Sequence, residues 1–320
     1  MECIMFEQRS ADIYSRSYNI DEKELTFKPL TMQDKEIFIK YLSQYKFVTC
    51  EYSFANLVLW RKGCDIRYTV YNDSLIIKKK DFEGNYYFMQ PLGYNKEDLK
   101  CIIDKLQDYK EKNNLKYLFK DIEEPFLNEL KEIYKQEILI VEDIDNFDYI
   151  YTQDSLASLS GKKLHGKKNH YNYFIKNYSY EVKDISEFTV KEDCLEALKL
   201  WLQEKDETDE NLNYESEGIK EIINYMDDLN LKGMAVYVEG KLAAFTIGES
   251  TNNDMAIIHV EKGLPDVKGI YSFINKTFVD NYFSDSKYIN REQDLGIEGL
   301  RKAKKSYNPV KLEKKYCVYI

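Results

Sequence analysis

The chain has 320 residues and a mass of 38.1 kDa; 43% of it is hydrophobic and 32% charged, with only 5 Pro and 13 Gly. That is enough for one large domain or two ordinary ones with real cores, and it excludes a disordered or disulfide-scaffold protein. A formal charge of −10 excludes a general nucleic-acid coat.

The longest apolar run, Met234–Val238, falls far short of the ~20 residues of a membrane helix. Met1–Ser17 scatters Glu2, Glu7, Arg9, Asp12 and Arg16 through its length, which is not the pattern of a secretory signal. The expectation is a cytoplasmic protein. The six cysteines lie far apart, without a CxxC pair and with only 3 His, so they read as reduced thiols and no metal site is expected.

In chain order, the apolar periodicity predicts a strand at Leu25–Leu30, a helix at Gln33–Tyr45 and a short helix at Phe54–Trp60. A hairpin follows, Arg67–Tyr71 and Leu75–Lys79 turning on Asn72 and Asp73, then a strand at Tyr86–Gln90. Helix Lys96–Glu111, strand Lys116–Phe119, helix Glu124–Ile133 and strand Ile138–Glu142 complete the first half.

The second half repeats that order. A basic helix over Lys163–Phe174 leads to strand Tyr180–Lys183, helices Glu192–Gln203 and Ser216–Leu229, and a hairpin of Met234–Val238 and Leu242–Gly248 turning on Glu239 and Gly240. Strand Met255–Glu261, helix Ile270–Tyr282, strand Tyr288–Glu292, helix Ile297–Lys305 and strand Lys315–Ile320 close it. The repeated order predicts an α/β (α+β) chain of two tandem domains, 1–154 and 155–320, with mixed, mostly antiparallel sheets and a boundary at the Ser-rich segment Ser155–Ser160.

Charge is uneven along the chain. Lys162, Lys163, Lys167, Lys168 and Lys176 lie between Ser155 and Tyr180 without an acid, and a second basic stretch runs from Leu300 to Tyr316. Glu204–Glu221 between them is acidic. Two basic islands in an acidic protein read either as local phosphate sites or as solvated helix faces.

The element order resembles that of GNAT-type acyltransferases, and two copies resemble the Fem-type aminoacyltransferases and the catalytic domain of aminoacyl-phosphatidylglycerol synthases. The segments Glu51–Trp60, Gly161–His170 and, most specifically, Tyr288–Pro309 resemble a bacterial family named for the C-terminal domain of phosphatidylglycerol lysyltransferase. The resemblance implies a soluble tandem GNAT acyltransferase that moves an amino acid from aminoacyl-tRNA to an amine or hydroxyl of a lipid or small-molecule acceptor. The alternatives are a non-catalytic module for tRNA or anionic head groups, and a CoA-dependent N-acetyltransferase with a degenerate phosphate loop. In a GNAT fold the donor phosphates meet the helix that here begins after Lys268-Gly269, and a single glycine there makes CoA the less favoured donor. No other cofactor is expected.

His259 and Glu261 lie two apart on a predicted strand, so alternation places both on one face as an acid/base pair in which Glu261, helped by His259, is expected to accept the acceptor's proton, or as a core histidine beside a surface glutamate. Arg291, Glu292 and Asp294 follow the next strand, where α/β sites gather; they read either as an ion-pair network holding the following helix or as site residues, with Arg291 stabilising charge or fixing the acceptor and Asp294 orienting it. Lys268, Gly269 and Tyr271 are the candidate donor-binding residues of the following turn, with Tyr271 a donor to the leaving group. Lys162, Lys163, Lys167 and Lys168 are the candidate contacts for the tRNA acceptor end.

Overall fold

Two hairpins with the same turn chemistry found two sheets. In the computed structural model, which describes residues 24–135, 138–203, 210–251 and 254–319, both tight turns lie where they are predicted. Asn72 and Asp73 take φ of 48° and 56°, and Glu239 and Gly240 take 51° and 78°. Two successive left-handed residues match the twist of the flanking strands.

The first half runs β1 (Lys28–Pro29), α1 (Lys35–Leu42), α2 (Phe54–Trp60), β2 (Arg67–Tyr71), β3 (Ser74–Lys80), β4 (Tyr86–Phe88), α3 (Lys96–Lys112), β5 (Phe119–Ile122), α4 (Glu124–Tyr134) and β6 (Leu139–Glu142). After it come β7 (Asp148–Thr152), α5 (Gln153–Ser158), α6 (His165–Asn177), β8 (Tyr180–Asp184), α7 (Phe188–Gln203), α8 (Glu210–Asn224), β9 (Lys232–Val238) and β10 (Lys241–Ser250). The rest is β11 (Met255–Gly263), α9 (Ile270–Tyr282), β12 (Tyr288–Asn290), α10 (Glu298–Lys305), β13 (Lys311–Glu313) and β14 (Tyr316–Tyr319). The Ser-rich segment expected to mark the domain boundary contributes to α5, whose first turn is capped by Thr152 Oγ1 accepting from the Ser155 N–H at 3.3 Å. The readings of residues 1–17, of Cys3 and of the acidic positions 204–209 lie outside the described residues.

Among the described residues each sheet has seven strands, in the orders β1-β2-β3-β4-β5-β14-β6 and β8-β9-β10-β11-β12-β7-β13. These are one pattern written twice, with the penultimate strand exchanged. β7 leaves the first half and pairs between β12 and β13, while β14 returns from the second half and pairs between β5 and β6. A division at residue 154 therefore separates two runs of elements but not two sheets. The strand expected over Lys315–Ile320 as the last of the second repeat belongs to the first sheet. β7 itself is not predicted, because Asp148-Tyr-Ile-Tyr-Thr152 carries no alternation when both its faces are covered.

The two crossings lie side by side. The Asp143 N–H donates to the Lys315 carbonyl at 2.9 Å, and Glu313 is the register partner of Asp148. Between them the fully buried Lys315 ammonium donates to Asp148 at 2.6 Å and to Glu51 at 2.7 Å. Burial opposes the charge, but Asp148, Cys50 and Glu51 hold the ammonium protonated well above the ordinary lysine range. Cys50, Glu51 and Asp148 come close enough to chelate a metal, yet the ammonium is already seated among them.

A shared core fuses the halves. Phe38, Leu57, Val58 and Ile77 of the first pack with Ile219, Ile222, Phe245 and Val260 of the second. α2 and α8 cross at Gly218, where a Cβ would overlap the Leu59 carbonyl. A second core under α9 holds Phe174, Phe273 and Phe278, and a third under α3 and α4 holds Phe88, Phe119 and Phe126.

Replacing Lys315 with Ala leaves two buried carboxylates without their cation, a change that costs about 3–5 kcal/mol. Urea unfolding of Lys315→Ala is expected to show a loss of that size in one transition shared by probes in both halves. Separate transitions, or no loss, would show that the crossing does not couple the sheets.

Candidate functional site

The site grows from the place where two parallel strands part. β11 and β12 pair only over Met255–Ile257 and Tyr288–Asn290. Beyond that, β11 runs on to Gly263 while the chain after β12 turns away at Glu292, whose φ is 56°. The turn is fixed from both sides: Arg291 N–H donates to the Tyr149 carbonyl at 3.0 Å, Tyr149 N–H to the Glu292 carbonyl at 3.1 Å, and Glu292 N–H to Asn290 Oδ1 at 2.7 Å. Lys304, on α10, donates to the carbonyls of Arg291 and, at 2.6 Å, Gln293. Burial lowers the Lys304 ammonium to about 8.

Strand alternation does not put His259 and Glu261 on one face. Ile247 pairs with Val260 but Gly248 pairs with Ile258, so β11 carries one extra residue, a bulge at His259. The bulge shifts the phase of every side chain after it. His259 lies with Val260 toward the shared core and donates from Nδ1 to Glu292 at 2.8 Å and from Nε2 to Glu249 at 3.0 Å. Glu249 also accepts from Ser53 Oγ, and Glu292 from Asn56 Nδ2 at 3.1 Å, so this side is tied to the N-terminal turn of α2. Burial pushes the imidazole down, but the hydrogen bonds and charges of Glu249 and Glu292 outweigh it and raise its pKa to about 10. His259 is an imidazolium with both protons in use, and it has no lone pair with which to help Glu261 accept a proton.

Glu261 projects to the other side. One oxygen accepts from Arg291 Nη2 at 2.9 Å and the other from Asn275 Nδ2, on α9, at 2.9 Å. The Arg291 guanidinium lies 4.7 Å from the Tyr307 ring centroid and 5.8 Å from that of Tyr151. Burial opposes its charge, and Glu261 with the two phenols more than restores it. Its Nη1 is buried and, among the described residues, has no hydrogen-bond partner within the usual distance and angle, a donor fork half used. Asp294 does not orient Arg291: its carboxylate accepts from Arg301 at 2.8 and 2.9 Å, from Tyr149 Oη at 2.6 Å and from Gly296 N–H. Burial would raise that carboxyl, but Arg301 and Tyr149 bring it down to about 2, so Asp294 anchors the start of α10.

The candidate donor residues separate. Gly269, at φ 91°, caps α9, and a Cβ there would overlap the His170 carbonyl, because α6 packs directly across this turn. Tyr171 of α6 stacks on Phe273 at 5.7 Å, and Phe174 packs tilted against it at 4.3 Å. Tyr271 spends its hydroxyl on the Gly263 carbonyl at 2.9 Å, and the Lys268 ammonium lies 4.4 Å over the ring of Tyr173, outside the opening. Of the basic island, Lys162, Lys163 and Lys168 are exposed. Lys167 alone turns inward, its ammonium 4.2 Å over the Tyr307 ring, within the fields of Arg291 and Glu261.

Sequence reading missed Glu249, Ser53, Asn56, Asn275 and Tyr307. Asn275 carries a usable signal, as a polar residue on the apolar stripe Ile270, Phe273, Ile274, Phe278 of α9. The equivalent opening of the first sheet is closed. There β4 and β5 part after Phe88 and Phe119, and Asp121, at φ 57° like Glu292, is taken up by Lys79 at 2.9 Å and Tyr87 Oη at 2.7 Å.

His259 supplies a pH signature. Its folded-state pKa stands above the ordinary 6.5, so its contribution to stability is complete below about pH 6.5 and is lost as pH rises through about 10. Stability measured from pH 6 to 10 is expected to fall more steeply for the protein than for His259→Gln, and imidazole NMR shifts should report a cation at pH 8. A neutral ring at pH 8 would contradict the assignment.

Comparison with known proteins places this geometry. The family model described as phosphatidylglycerol lysyltransferase, C-terminal, matches residues 42–319. An uncharacterised protein of Mycoplasmoides gallisepticum is 29% identical over 178 residues, 54% of this chain and 56% of that protein, so the chain spans about half the length of this curated relative. A conserved protein of unknown function from Bacteroides thetaiotaomicron superposes with a TM-score of 0.82 at 32% identity, covering 92% of this chain and 99% of that one. L-PGS from Bacillus licheniformis gives 0.62 at 16% identity over 93% and 94% of the two chains. A tandem GNAT protein from the clavulanic acid biosynthesis pathway gives 0.50 at 10% over 92% and 97%, a likeness of fold. Among the described residues no helix is long and apolar enough to cross a membrane. With two sheets of GNAT order and a family match across nearly its whole length, the chain belongs to the phosphatidylglycerol lysyltransferase C-terminal family and has a tandem GNAT acyltransferase fold.

Proposed function

We propose that the protein transfers an aminoacyl group from aminoacyl-tRNA to an amine or hydroxyl acceptor, a lipid head group or a small molecule, in the cytoplasm. The observation that carries this reading is the unused, buried Nη1 of Arg291 at the parting of β11 and β12. A donor held rigidly by Glu261 and two aromatic rings, in a place water reaches poorly, suits an oxygen that gains negative charge as a carbonyl is attacked. The names of the relatives support the transferred group; the fold supports the place.

Several features favour a tRNA ester over a CoA thioester. A CoA pyrophosphate in this fold needs the N–H groups at the start of α9, and α6 packs across that turn at Gly269. The exposed Lys162, Lys163 and Lys168 beside the opening are suited to the phosphates of an acceptor stem. The closed opening of the first sheet leaves one reaction centre, with the first half shaping the approach through α2.

Charged tRNAs and acetyl-CoA, each offered with lipid and small amine acceptors, test the reading directly. Transfer from tRNA and none from acetyl-CoA is expected. Arg291→Lys keeps a charge but loses the planar fork, and is expected to lower kcat about 10²–10³-fold with the fold intact by circular dichroism. Micromolar binding of acetyl-CoA by calorimetry would move the assignment to an N-acetyltransferase.

A further inference from the structure

An acyl transfer needs a group that takes the acceptor's proton, and most of the titratable groups near Arg291 are committed elsewhere. His259 is doubly protonated and bonded at both nitrogens. Glu261 has both oxygens engaged, by Arg291 and Asn275. Lys304 is tied to two backbone carbonyls beneath the turn. The Tyr307 hydroxyl is buried, and burial raises it.

Resting on the transfer reading above, we infer that Lys167 of α6 is the proton acceptor of the reaction, its amine held over the face of Tyr307 at the mouth of the Arg291–Glu261 pair. Three elements face it: β11 through Glu261, the turn after β12 through Arg291, and the segment after α10 through Tyr307. Its neighbours Lys168 on α6 and Lys163 in the turn before it are exposed and add positive charge. Burial and the Arg291 charge both disfavour the ammonium, and Glu261 only partly offsets them, so the amine lies below the ordinary lysine range. The other lysines of the island have no such surroundings. The helix that closes the CoA turn thereby brings the base.

The step balances without an external reagent. As the acceptor's nitrogen or oxygen bonds to the ester carbonyl carbon, its proton passes to the Lys167 amine, and the carbonyl oxygen becomes an oxyanion facing Arg291 Nη1. When the carbon–oxygen bond to the tRNA breaks, the ribose oxygen takes the proton from the Lys167 ammonium, and the free amine is restored.

Two measurements test this together. Competitive acetylation with trace acetic anhydride across pH, read peptide by peptide, gives the titration of each lysine without any turnover. Lys167 is expected to react as a free amine at lower pH than the exposed lysines of the island, to move toward them in Arg291→Gln and to move further from them in Glu261→Gln. With charged tRNA, Lys167→Gln and Lys167→Arg are both expected to lose about 10²–10⁴ in kcat, since a guanidinium cannot give up its proton. Lys167 titrating with the surface lysines, or Lys167→Arg turning over as fast as the parent, overturns the inference while leaving the transfer reading intact. A parent protein that transfers nothing from any charged tRNA or thioester overturns both.

Discussion

The buried contact of Lys315 with Asp148 and Glu51 is the constraint from which the rest of the structure follows. It sits where the chain passes from β6 to β7 and where it passes back from β13 to β14, so one ammonium fixes both exchanges. Asp148 also accepts from the Cys50 N–H at 2.7 Å and from Asn290 Nδ2 at 2.8 Å. Asn290 in turn sets the turn that carries Arg291 and Glu292. The site is thus braced against the crossing by a short chain of buried hydrogen bonds, each of which would be costly to leave unmade.

The bulge at His259 gives β11 two separate uses. At the bulge, the strand serves the seam between the halves, with an imidazolium bridging Glu249 and Glu292 that reach back to Ser53 and Asn56. Past the bulge, Glu261 serves the opening. One extra residue therefore insulates a structural charge cluster from a chemical one only two positions away, and the cationic His259 holds the Glu292 turn whose neighbour is Arg291.

Much of this was legible from the chain. The hairpins on Asn72-Asp73 and Glu239-Gly240 follow from turn chemistry, and the helices from their apolar stripes, because both depend on residues near in sequence. Arg291 and Glu261 were legible as charged residues at the ends of apolar strands. The exchange of β7 and β14 was not, since pairing partners far apart in the chain leave no trace in local periodicity. The bulge was not either: nothing in Ile258-His259-Val260 distinguishes an inserted residue from an ordinary alternation. Asp294 was misplaced because spacing puts it near Arg291, whereas Arg301, seven residues further on in α10, takes both its oxygens.

Strand exchange also orders events in time. β7 is in hand before any other strand of the second sheet has been synthesised, so that sheet can be completed as soon as β13 emerges. The first sheet cannot: the strand that belongs beside β5 follows β5 by the whole of the second half, and until it arrives β5 and β6 have an open lane between them. On the ribosome the half made first is the half finished last, and an unpaired lane of that kind is where a nascent chain is most exposed to wrong partners.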